Sequence, residues 1–550
     1  MRRWNGWGDE SIEVRLEGEA RAFLGARLGR GIAPLDASFD AACAAVPPGR
    51  LPHHPLIDAS PAVRARHALG QSLPDWLRLR HGRLGAVPDG VAFPESTAQV
   101  RELLDLAASQ DAVVIPYGGG TSVAGHLDVG HSTGNRVGND ANAAANRQRP
   151  TLSIDMSRMR ALISLDREAL LACFGAGVAG PDLEAQLRAH GYTLGHYPRS
   201  FEFSTLGGWI ATRSSGQQSL RYGRIEALFA GGHVETPSGT LTIPTFPASS
   251  SGIDLREMVL GSEGRIGVLT HAAVRISRLP EYEAFHALFF PDWEHATRAA
   301  RALAQTRLGL SMLRLSNASE TRTMLALGGA GRQAALIERF LRWRGCGPDK
   351  CMLLIGATGI KAQAREALRA AITLARRQRG VHVGRSLGEH WRRDRFRGAY
   401  LRNAAWQLGY AVDTVETALD WPHVTAAVDT IERAAATALE PCGERVHACT
   451  HLPSLYQQGA SVCTTFVYRL AGDYETDLAR WRQIKAKVSA AIVGCGGTIS
   501  HQHGIGTLHG AMHGPWLEAE KGALGLGAMG ALFRHFDPDC RMNPGKLVTP

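Results

Sequence analysis

The spacing of apolar and polar positions changes character twice along the chain, once near Phe93 and again near Pro280. Residues 1–92 read as helical or irregular, are punctuated by Pro47, Pro48, Pro52 and Pro55, and form a lead-in. From Phe93 the pattern becomes α/β. Ser96 followed by Gln99 predicts a capped helix through Ala108, and the apolar run 112–115 predicts a buried strand that enters Pro116 and three glycines. Alternation over 151–156 and the apolar run 170–174 predict further strands, and a helix over 181–191 opens on Pro181 and closes on Gly191. A hairpin is predicted about Pro237, Ser238 and Gly239, followed by a strand over 267–276. Beyond Pro280 the reading is of longer amphipathic helices over 293–306, 332–344 and 361–377, separated by strand-like pieces such as 352–355. The expected class is therefore α+β, with a lead-in over 1–85, a first domain over 86–280, a second α+β domain over 281–500 and a tail over 501–550. Residues 135–149, rich in Asn, Ala and Gly, read as a surface insertion.

At 550 residues and 59.1 kDa the chain exceeds one ordinary core. Apolar residues make up 44% and charged ones 20%, which excludes long disorder. The net charge of +10 comes almost wholly from Arg, since Lys fills only six positions, and no tight basic block forms. Nucleic-acid binding is therefore not predicted, and an anionic small substrate accounts for the balance equally well. Nine scattered cysteines without a CxxC pair favour a reducing compartment. No apolar h-region opens the chain, and no run approaches the ~18 apolar residues of a spanning helix. The expectation is a cytoplasmic enzyme; peripheral membrane contact and a homodimer are compatible with it.

Four motifs carry candidate chemistry. Pro116-Tyr117-Gly118-Gly119-Gly120-Thr121-Ser122 follows a strand, and backbone N–H groups free of Cβ atoms beside two hydroxyls suit a phosphate. On its residues alone it is equally a plain glycine turn, without the Lys of a P-loop or GxGxxG spacing. The stretch from Pro198 and Arg199 through Ser204, Thr205, Gly208, Trp209, Thr212 and Ser215 combines hydroxyls, glycines and aromatics, as does a wall against a large planar polar ligand. Glu263 and Gly264 lie in a third glycine-bounded loop just before Val268. His501-Gln502-His503, with His509 and His513 beyond, lacks a carboxylate or cysteine at a convincing metal offset, so acid/base work is preferred to zinc.

In this order the motifs resemble the vanillyl-alcohol oxidase, or PCMH-type, flavoprotein superfamily, in the branch that holds D-lactate dehydrogenases and the alkyldihydroxyacetonephosphate synthases. The chain is more similar to the synthases, whose Trp-Asn-Gly-Trp-Gly signature looks like Trp4-Asn5-Gly6-Trp7-Gly8. Their Pro-x-Ser-x-Glu-Phe/Tyr-Ser-Thr-x-Gly-Gly-Trp stretch looks like residues 198–209. The resemblance implies a two-part PCMH-type FAD-binding domain, an α+β cap domain and a C-terminal segment that returns to the flavin. It implies non-covalent FAD held by Pro116, Gly118, Gly119, Gly120, Thr121 and Ser122 at the diphosphate. Pro198, Ser204, Thr205, Gly208, Thr212 and Ser215 would lie along the cofactor, and Glu263, Gly264 and Val268 near its adenosine end. The implied reaction exchanges the acyl group of acyl-dihydroxyacetone phosphate for a fatty alcohol in ether-lipid synthesis, through an adduct at flavin N5. Arg402, in Ala399-Tyr400-Leu401-Arg402, would anchor the phosphate, with His501 and His503 near the flavin. Two departures fall on the chemistry: Cys463 stands where the synthases carry a catalytic Tyr, and Gln502 replaces the middle of three histidines. The rival reading is an FAD-dependent dehydrogenase or oxidase of a 2-hydroxy acid of the D-lactate type, with His503 taking the hydroxyl proton. A flavin-binding protein with a decayed site is a third class.

Overall fold

A computed structural model of the chain describes residues 1–129, 149–327, 332–508 and 516–548. The insertion over 135–149 therefore lies, apart from Arg149, outside the described residues, as do His509 and His513. Strands are numbered in chain order. A first sheet has the order β1 (Ile57–Asp58), β2 (Gly90–Ala92), β4 (Thr151–Asp155), β3 (Val113–Tyr117), with β2 and β3 parallel to β4. The helix Thr97–Ser109 links β2 to β3 and buries Val100, Leu103, Leu104 and Ala107. Its Ser96 cap accepts from Gln99 N at 3.3 Å, while the Gln99 side chain reaches one residue further back, to the N–H of Glu95 at 2.6 Å.

A second, antiparallel sheet has the order β5 (Leu162–Asp166), β6 (Leu171–Gly175), β10 (Val268–Arg275), β8 (Phe229–Thr236), β9 (Gly239–Ile243). The expected hairpin is the β8–β9 pair, which closes Thr236 on Gly239. A two-stranded ribbon pairs β7 (Tyr192–Thr193) with β11 (Ser277–Arg278). The C-terminal chain returns to the first sheet: Met542 bridges Val114 of β3, with Val114 N donating to Arg541 O and Asn543 N to Val114 O, both at 2.8 Å.

The region after Pro280 differs most from its sequence reading. It is built on a seven-stranded antiparallel sheet of order β15 (Val381–His382), β12 (Tyr282–Phe290), β14 (Cys351–Gly359), β13 (Met312–Ser316), β17 (Val446–Leu452), β18 (Gly459–Arg469), β16 (Tyr410–Asp420). One face, with Leu288, Leu313, Leu353, Ile355, Phe466 and Tyr468, packs on the helices Trp293–Gln305, Lys361–Arg377, Trp421–Ala436 and Tyr474–Gly494. The other face covers a cavity. Because both faces are enclosed, the first half of β14 and the stretch 287–290 of β12 read as unbroken apolar runs rather than as alternating ones. No described helix is long and apolar enough to cross a membrane.

Candidate active site

One cavity of about 870 Å³ collects residues from the first two sheets, the seven-stranded sheet, the N-terminal lead-in and the tail. Its volume is in the upper part of the usual ligand-pocket range of roughly 300–1,000 Å³. The loop after β3 forms one wall. A Cβ on Gly118 would stand 2.3 Å from Thr205 Oγ1, one on Gly119 only 1.7 Å from the carbonyl oxygen of Phe203, and Gly120 has φ +58°. Neither close approach is open to a residue with a side chain. The opposing wall comes from Pro198, Ser204, Thr205, Gly208 and Thr212, with Glu263, Gly264 and Val268 behind them. Thr205 caps the helix Leu206–Ala211, and Ser204 Oγ accepts from Trp209 Nε1 at 2.7 Å, which fixes both hydroxyls. Glycine backbone on one side and hydroxyls on the other, in a space of this size, fit a dinucleotide such as FAD.

Not every residue that the resemblance assigned to this wall lines it. Ser215 is buried with its Oγ 3.3 Å from Ser219 Oγ, and Ser214 borders the cavity instead. Glu263, at φ +54°, spends its carboxylate internally, accepting from Ile505 N at 2.6 Å and Gly506 N at 2.8 Å. His126 also reaches the wall, with Nδ1 2.6 Å from Ser122 Oγ and Nε2 3.2 Å from Glu263 Oε2.

The N-terminal Trp-Asn-Gly-Trp-Gly sequence supports the far end. Trp7 exchanges two hydrogen bonds with the Asn403 side chain, N to Oδ1 at 3.1 Å and Nδ2 to O at 2.8 Å. A Cβ on Gly8 would enter the Tyr400 ring at 2.2 Å. These contacts seat the helix Leu401–Gln407, which carries Arg402. The Arg402 guanidinium lies 4.3 Å over the Trp76 ring and donates through one nitrogen to Gln71 O at 2.8 Å. Its Nε and second terminal nitrogen have no hydrogen-bond partner among the described residues, and it lines the cavity. Burial lowers its pKa from the ordinary guanidinium value.

The two tail histidines part company. His503 borders the cavity with 31% of its side chain exposed and Nδ1 3.2 Å from Glu416 Oε1. Glu416, which strand β16 supplies, accepts from the N–H groups of Gln502 and His503, both at 2.8 Å. Burial opposes charge on both groups; the carboxylate stays below its ordinary pKa because the histidines and the two N–H groups face it, and burial leaves His503 neutral. His501 turns away, its Nε2 2.6 Å from Tyr456 Oη and 2.7 Å from an Arg224 nitrogen. It faces a second cavity of about 920 Å³, with its pKa lowered to about 4 by burial and by Arg224. Cys463 does not reach the wall either. It is 4% exposed, and burial pushes its thiol up to about 12, so it is no ready proton donor or acceptor at neutral pH.

A cluster absent from the sequence reading sits beside it. His451 of β17 is opposite Cys463 of β18, which is opposite Glu416 of β16. Arg199 donates to His451 Nε2 at 2.5 Å, His451 Nδ1 lies 2.8 Å from Glu320 Oε1, and Glu320 pairs with Arg314 at 2.7 Å. Arg199, His451, Glu320 and Arg314 all line the cavity. The one sequence signal was the spacing of His447, Cys449 and His451, which puts all three on one face of a strand.

A family model described as "FAD binding domain" matches residues 88–243, and one described as "FAD linked oxidases, C-terminal domain" matches 279–547. The chain is 30% identical to alkyldihydroxyacetonephosphate synthase of Dictyostelium discoideum over 493 residues, 88% of this chain and 77% of the relative. It is 30% identical to the same enzyme of Trypanosoma brucei brucei over 496 residues, with the same coverage of each. The mitochondrial D-lactate dehydrogenase (cytochrome) of Arabidopsis thaliana is 23% identical over 483 residues, 84% of this chain and 74% of that one. A solved alkyldihydroxyacetonephosphate synthase superposes with a TM-score of 0.82 at 25% identity, covering 99% of both chains. A p-cresol methylhydroxylase structure shares the fold, with a TM-score of 0.65 at 12% identity over 89% of this chain and 93% of that one.

Proposed function

The chain belongs to the alkyldihydroxyacetonephosphate synthase family and is an FAD-dependent enzyme; on that footing we propose that it exchanges the acyl group of an acyl-dihydroxyacetone phosphate for a long-chain alcohol. The observation that supports this reading is a single cavity that joins the cofactor wall and the partly unpaired Arg402 to an apolar region. On the seven-stranded sheet Glu416, Cys463 and His451 stand side by side, and of the three His451 lines the cavity. Along the same three strands the wall passes through Thr414, Thr465 and Cys449 to Val412, Val467 and His447. There it meets Leu24 of the helix Gly18–Leu28 and Leu327. Such a gradient suits an amphiphile and has no use for a short 2-hydroxy acid.

In this scheme the free N–H groups of Arg402 take the phosphate bidentately. FAD supplies the nucleophilic ring nitrogen on which exchange at C1 depends, with no net change of oxidation state. The ester C1–O bond breaks and a carboxylate leaves. The alcohol oxygen forms the new C1–O bond, and its proton passes to neutral His503, whose cationic form Glu416 stabilises. FAD is held without a covalent link by the glycine loop and the hydroxyl wall. The test is anaerobic incubation of the holoprotein with acyl-dihydroxyacetone phosphate and hexadecanol, with no electron acceptor. Ether product is expected. Absence of ether product together with rapid bleaching of the flavin by D-lactate would overturn the proposal.

A further inference from the structure

We propose that Arg199 is a second anion-binding group in this cavity, built to receive the carboxylate of a long-chain fatty acid; the inference rests on the acyl-exchange reading above, in which that acid is the departing group. Arg199 is exposed yet lines the cavity, and among the described residues no carboxylate stands within ion-pair distance of it. Its one partner among the described residues is an imidazole. An arginine N–H can only donate, so the Nε2 of His451 must present its lone pair, and the ring proton of the neutral imidazole sits on Nδ1, toward Glu320. Burial favours that neutral form, lowering the histidine's pKa to about 4. Behind it Glu320 is matched by Arg314. Two guanidiniums, one carboxylate and one neutral ring leave a surplus of one positive charge, and with Arg314 matched to Glu320 it falls on Arg199, the exposed member of the cluster.

What surrounds that charge selects the ligand. Met312, Met352 and Leu354 line the cavity on the neighbouring strands, and Met324 Sδ lies 3.5 Å from an Arg314 nitrogen. A small, strongly hydrated anion at Arg199 would make no use of that apolar lining. A fatty carboxylate supplies both a charge for the guanidinium fork and a chain for the apolar wall. Arg402 is a different setting, stacked on Trp76 and bonded to the Gln71 carbonyl. Among the arginines that line the cavity, Arg402 thus serves the phosphate that stays and Arg199 the carboxylate that departs.

The experiment is calorimetric titration of the FAD-loaded protein with laurate, dodecanol and glycerol 3-phosphate, which needs no turnover. Arg199→Gln should weaken laurate roughly ten- to a hundredfold and leave dodecanol and glycerol 3-phosphate within about twofold. Arg199→Lys should restore part of the laurate affinity, which a merely structural role of Arg199 would not give. Laurate affinity unchanged in Arg199→Gln, equal loss of dodecanol, or selective loss of glycerol 3-phosphate would each overturn the proposal. Because binding is read directly, laurate capture through Arg199 without ether synthesis would count against the acyl-exchange reading alone. Ether synthesis with laurate bound normally by Arg199→Gln would count against this inference alone.

Discussion

Gly119 is the most tightly constrained position in the cofactor loop, since its missing side chain is the space in which Phe203 O sits. Gly119→Ala must push the loop away from the Ser204 wall. Purified protein should then lose most of its visible flavin absorbance, whereas Gly494→Ala, with nothing within 4 Å at the end of a helix, should keep it. Arg402 makes the complementary prediction on substrate. Replacing its charge-assisted donors by an apolar side chain in Arg402→Leu should raise KM for the phosphate ester by about a hundredfold, with the flavin spectrum preserved. Arg402→Lys keeps the charge but not the fork and should recover only part of the loss.

Among the elements, the tail segment around Ile505 is held less by its own structure than by one carboxylate. Glu263 accepts from two consecutive backbone N–H groups of that segment, and its own carbonyl accepts from Asn543 Nδ2 at 2.7 Å. All three of these bonds are buried. Glu263→Ala would leave both tail N–H groups without an acceptor, each costing about 1–3 kcal/mol. The thermal midpoint should fall by several degrees, and amide exchange at Ile505 and Gly506 should accelerate. Glu263→Gln retains an acceptor oxygen and should be milder on both measures. The lead-in works in the same way on Arg402, through the Trp7–Asn403 bonds and the Gly8–Tyr400 contact.

The whole molecule buries an unusual set of neutral imidazoles. Burial lowers the pKa of His196 to about 3 and of His447, His451 and His501 to about 4, against an unfolded value near 6.5. Each depressed histidine binds its proton more tightly in the unfolded chain. Its contribution is therefore complete above the unfolded value and is lost as pH falls toward the folded one. Asp75 and Asp537, whose carboxyls burial pushes up, act in the opposite sense but from a lower starting value. Urea midpoints should consequently decline between about pH 7 and about pH 5, since each pKa unit is worth about 1.4 kcal/mol. An unchanged or rising midpoint over that range would contradict the neutral burial of these rings.

Sequence alone determined the features that depend on local backbone sterics. The strand that enters Pro116 and three glycines, the β8–β9 hairpin and the cap at Ser96 were legible because each expresses a conformation that neighbouring residues impose. The order of the motifs then pointed to the FAD family. Tertiary structure decided which side chains face the cavity. His501 was expected there and faces another cavity, Cys463 is buried short of the wall, Glu416 of β16 stands against His503, and Arg199 meets His451 across 252 residues of chain. The reason is that the seven-stranded sheet is covered on both faces, so its strands carry no polarity alternation to reveal their register. Which face a residue takes follows from how β13, β16, β17 and β18 pair, and that pairing is a property of the folded whole.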